Sequence, residues 1–108
     1  MNVRFSSSAV RCRVSREEFD SLLVGRSVSL EVALPRNHAF RLSVRPGVMG
    51  GWQFDSDPTG MWLTIPRAQL ESLAQSLPSR EGIEQAFDLN GGGQVQVSFE
   101  VDVRKPPG

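Results

Sequence analysis

At 108 residues the chain is long enough for one hydrophobic core and too short for two. Lys plus Arg and Asp plus Glu each number 12, so the formal net charge is zero, and the basic excess on which phosphate-driven nucleic-acid binding rests is missing. Apolar runs last only a few residues and arginines interrupt Met1 to Arg13, which predicts neither a membrane span nor a secretion signal; a single cysteine allows no internal disulfide, in keeping with the cytoplasm.

In chain order, Asn2 to Phe5 and Ala9 to Val14 read as antiparallel strands around a turn at Ser6 to Ser8. Val10, Cys12 and Val14 alternate with Arg11 and Arg13, and at Ser15 the period changes from that of a strand to that of a helix. Ser15 is the expected N-cap, in a capping box with Glu18, and Val14 is placed to touch Phe19 as a hydrophobic staple. Phe19, Leu22 and Leu23 form the helix stripe and Gly25 ends it. Ser27 to Leu34 alternates strictly, with Val28, Leu30, Val32 and Leu34 on one face. Pro35 to Asn37 makes a turn, and Phe40 to Arg45 buries Phe40, Leu42 and Val44 on the return strand. A glycine-rich break leads to a short strand, Trp52 to Asp55, which the Asp57 to Gly60 turn joins to Met61 to Ile65.

Pro66 suits only the first turn of a helix, and Leu70, Leu73, Ala74 and Leu77 then repeat at helical spacing until Pro78. Ile83 to Leu89 and a final strand through Val95, Val97, Phe99, Val101 and Val103 flank a glycine loop. No internal repeat is visible. The expected class is α+β: about eight strands in a mostly antiparallel, twisted sheet able to curl toward a barrel, with two amphipathic helices. Residues 1–104 form the single domain and 105–108 a frayed tail. The core is expected to hold Val10, Cys12, Phe19, Leu22, Leu30, Val32, Leu42, Leu70, Leu73, Val97 and Phe99.

The opening pattern of Val3, Arg4, Ser8, Val10, Arg11, Arg13, Val14, Ser15 and Glu18, with the later Leu63, Thr64, Ile65, Pro66 and Ala68, resembles a family of small bacterial proteins of unknown function. The resemblance implies a shared fold and transfers no site residue. Members of that family tend to end in an acidic strand with a lysine between its acids, where this chain has Val101 between Glu100 and Asp102.

Arg11, Arg13, Arg41 and Arg45 fall on the polar faces of two expected strands, with Glu31, Glu100 and Asp102 on the same kind of face. Such residues pair across strands as an ordinary solvated surface. If the sheet closed around them, they would instead form an anion or nucleotide-phosphate site, with the acids pairing or holding a divalent cation. Asp55, Asp57, Thr59 and Gly60 mimic the start of a calcium loop, but Pro66 stands where the bidentate acid belongs, so a hairpin turn is expected. His38 has no nucleophile beside it and Cys12 lies on the apolar face, so no catalytic set, metal site or cofactor is predicted. Trp62 has the parity of Thr64, opposite to Met61, Leu63 and Ile65, which sets it off the main buried face; with Trp52 it marks a candidate interface. Two functional classes follow. The first is a non-enzymatic module that binds a protein partner or a second copy of itself, and the second is an anion or nucleotide-phosphate binding protein or phosphohydrolase.

Overall fold

A computed structural model describes residues 1–78 and 81–102. Its elements are β1 (Asn2–Phe5), β2 (Ala9–Val14), α1 (Arg16–Leu23), β3 (Val28–Leu34), β4 (His38–Gly47), β5 (Gln53–Asp57), β6 (Gly60–Pro66), α2 (Arg67–Ser76), β7 (Ile83–Asp88) and β8 (Gln94–Val101). The α+β class and both helices agree with the sequence. Val103 and the expected 105–108 tail lie outside the described residues.

The expectation of a single sheet able to curl toward a barrel is corrected, whereas most pairings, four of the six among the described residues, are antiparallel as expected. The strands form two four-stranded sheets in the orders β1-β2-β8-β7 and β3-β4-β6-β5, and neither closes into a barrel. Each hairpin is antiparallel because its turn reverses the chain, but the central pairs β2 with β8 and β4 with β6 are parallel. Strands that are distant in sequence carry no local signal of the direction in which they will meet.

The two sheets are register-matched copies of one plan. Each half of the chain runs hairpin, helix, hairpin, and the hairpins of one half interlock with those of the other. In the first sheet Cys12 pairs with Phe99 and Asn2 with Arg13; at the corresponding places in the second, Leu63 pairs with Val44 and Gln53 with Thr64. This is a topological repeat that the residues themselves conceal.

Local chemistry sets the first helix. The Ser15 hydroxyl accepts from the Glu18 N–H at 3.1 Å, and the Glu18 carboxylate accepts from the Ser15 N–H at 2.9 Å. At the other end Gly25 has φ +91°, and the N–H groups of Gly25 and Arg26 donate to the carbonyls of Leu22 and Ser21. The second helix begins after Pro66 without a side-chain cap. Its place is held by Leu70 and Leu73, both buried in the core.

One core receives the apolar faces of both sheets and both helices. Phe19 and Phe99 are fully buried with ring centroids 6.3 Å apart. The expected core is right except along the β3–β4 hairpin, where Leu30 and Phe40 are only half-buried and Val32 remains 46% exposed. The β3–β4 hairpin outruns the core, so its alternation continues past the point where anything covers it.

Phe99→Ala is expected to cost about 3–5 kcal/mol in urea unfolding, and Val32→Ala no more than about 0.5 kcal/mol, because only the first leaves a cavity. A pH series tests the capping box. Burial raises the Glu18 carboxyl, but the Ser15 N–H, the Met1 ammonium and the Ser15 hydroxyl outweigh it and hold the group low. Its stabilisation is therefore present in full above the ordinary glutamate value of 4.5 and is lost as pH falls through the lower folded value. Glu18→Gln is expected to give a shallower acid limb in melting temperature against pH.

Candidate functional site

The polar face of the first sheet places three arginines together, because β1 and β2 alternate and turn Arg4, Arg11 and Arg13 to the same side. Register puts Arg13 opposite Glu100 on β8. Arg13 Nε donates to the Glu100 carboxylate at 2.9 Å, and Arg11 approaches the same oxygen at 3.8 Å. A hollow of about 20 Å³ lies among Asn2, Arg4, these two arginines and Glu100, room for about one water molecule.

A larger cleft of about 500 Å³ opens beside Arg11 and is lined by Glu81, Glu84, Gln96, Ser98 and Glu100 among others. Gly82 borders it where a Cβ would collide with the Phe99 carbonyl oxygen, so the chain passes only as glycine. One guanidinium facing three carboxylates gives this cleft no net attraction for phosphate.

The other two arginines belong to the second sheet. Arg41 pairs with Glu31 at 2.8 Å, both side chains more than half exposed, and Arg45 donates to the Thr64 hydroxyl at 3.0 Å. The expected set of Arg11, Arg13, Arg41 and Arg45 is thus divided between sheets, and Glu31 stands apart from Glu100 and Asp102. Asp102 follows β8, with its N–H donating to the Val14 carbonyl at 2.8 Å. Among the described residues no three His, Cys, Asp or Glu side chains are grouped to hold a metal ion.

Trp62 lies half-buried on the polar face of the second sheet, between its register neighbours Ser43 and Asp55. It occupies the place that Arg11 holds in the first sheet. Trp52 packs against the core instead, and its indole N–H donates to Gln69 at 2.8 Å. His38 starts β4, exposed. The Asp57 carboxylate accepts from the Thr59 hydroxyl and backbone N–H, which hold it below the usual carboxylate range and close the hairpin turn.

The sequence reading missed the free edge of the second sheet at β3, where Val32 and Leu34 are 46% and 44% exposed. Its signal was present as the apolar alternation of Val28 to Leu34, which a buried strand shares. The loop after β4 also exposes Val48 and Met49.

Cys12 is buried, and loss of solvation pushes its thiol up to about 11. It is expected to resist a disulfide-exchange reagent in the native state and to react with one equivalent after unfolding, read by thiol absorbance; rapid native labelling would show the thiol to be accessible. Compared with protein-family models, with curated proteins and with solved structures, the chain matches none.

Proposed function

We propose that this protein is an interaction module whose working surface is the free edge of β3. Among the described residues four strands lie at sheet edges, and three of them are guarded. β1 is four residues long and carries Arg4, β5 carries Asp55 and Asp57, and β7 carries Glu84 and Asp88. Short length and charge are the ordinary devices that stop an edge from pairing with another chain.

The observation that carries the proposal is that β3 lacks them. It is seven residues long, without proline or lysine, and its one charge, Glu31, is matched by Arg41 on the neighbouring strand. An edge strand leaves alternate backbone N–H and C=O groups for an incoming chain, and the uncovered Val32 and Leu34 beside them supply apolar surface to bury. The alternative of a phosphate site draws no such support, since the arginines that would build it are divided between the sheets.

The test is retention on immobilised protein, with the protein itself and a lysate of the cells that make it as probes. Wild type is expected to retain a chain from one or the other. Val32→Lys, which puts a charge at an exposed position at a cost of about 0.5 kcal/mol or less, is expected to lose it. Equal retention by the two would place the contact elsewhere, and no retention by wild type would remove the reading.

A further inference from the structure

Resting on that reading of the edge, we infer that the chain β3 takes up is a second copy of itself, in an antiparallel register centred on Leu30. Val28 to Val32 reads Val-Ser-Leu-Glu-Val. Reversed, it reads Val-Glu-Leu-Ser-Val, so the segment is a palindrome apart from the exchange of Ser29 and Glu31, and those two residues complement each other.

Two-fold pairing keeps like faces together only when it is centred on a residue, because side chains alternate with a period of two. Three centres, Leu30, Glu31 and Val32, pair at least five residues of the strand. A dyad at Glu31 would set Glu31 directly against its own mate, an unfavourable like-charge opposition. A dyad at Val32 would bring Pro35, which has no N–H, into the ladder opposite Ser29. The dyad at Leu30 meets neither obstacle.

In that register the apolar side sets Leu30 against its mate and the exposed Val32 against Val28, which lies at the rim of the core and is 8% exposed. The core's apolar row then runs on across the dyad. On the polar side Ser29 faces Glu31 of the other copy. Within each copy the Ser29 and Ser43 hydroxyls are already 2.9 Å apart and Glu31 is held by Arg41. Pairing joins these into one row, from Ser43 through Ser29 to Glu31 and Arg41 of the mate, in which Ser29 donates to the carboxylate. The dyad repeats the row in the opposite sense. A partner of unrelated sequence has no reason to match both faces at once. The contact is one strand wide, at the small end of specific interfaces, so the dimer exchanges with monomer.

Sedimentation velocity from about 10 μM to about 1 mM is expected to show wild type passing from monomer to dimer. Ser29→Glu places two carboxylates opposite Glu31 and its mate, and is expected to weaken the dimer at least about tenfold. The exchanged variant Ser29→Glu/Glu31→Ser restores Glu opposite Ser and is expected to recover it; all four of these residues in the dimer are exposed on the polar face, and circular dichroism melts check that each variant folds. Wild type that stays monomeric throughout, a Ser29→Glu dimer as tight as wild type, or a folded exchanged variant that stays monomeric would each overturn the self-pairing register. Monomeric wild type that still captures a lysate protein lost by Val32→Lys would sink self-pairing while the edge reading stands; failure of both would remove both.

Discussion

The parallel pairing of β2 with β8 is the constraint on which the first sheet depends. It brings Cys12 against Phe99 from opposite ends of the chain and so places Phe99 over Phe19 of α1. The same register lays Arg13 beside Glu100 on the polar side. Without that junction the β1–β2 and β7–β8 hairpins would be two isolated ribbons, each too small to bury its apolar face. The long-range pairing therefore supplies at once the centre of the core and the geometry of the arginine-lined face.

A second junction, β4 with β6, repeats the arrangement. Equivalent places are filled by residues that solve the same packing problem with different chemistry: Val14 and Ile65 at the strand ends, Phe19 and Leu70 on the helices, with Leu22 and Leu73 a turn later. The polar faces differ more. Where the first sheet pairs Arg13 with Glu100, the second pairs Thr64 with Arg45, and Arg11 is replaced by Trp62. Interior positions share a demand for apolar volume, whereas outward positions answer only to solvent and to neighbours across the strand, and there the likeness between halves disappears.

Splitting eight strands between two open sheets creates four edges, and each must be reconciled with the tendency of exposed backbone to pair. β1, β5 and β7 are kept short or charged. β3 is long, and its charge is compensated within its own sheet. An edge that keeps these features forgoes protection against association, and the palindromic character of Val28 to Val32 gives that association a definite register.

The local sequence by itself determined the units. The Ser15–Glu18 box, the Gly25 termination, the alternation of each strand and the hairpin turns all act within a few residues, so the elements and most of the core were legible, as was the outward parity of Trp62. The tertiary structure alone decided how those units meet. Whether β2 lies beside β8, and in which direction, depends on pairings across most of the chain. That choice divided the four arginines between two sheets and joined Arg13 to Glu100. It also decided the fate of β3, whose apolar row is the same whether or not something covers it: Val28 reached the core, while Val32 and Leu34 were carried beyond it to the free edge. Alternation specifies which side of a strand is apolar, and burial requires a neighbour that only the assembled fold supplies.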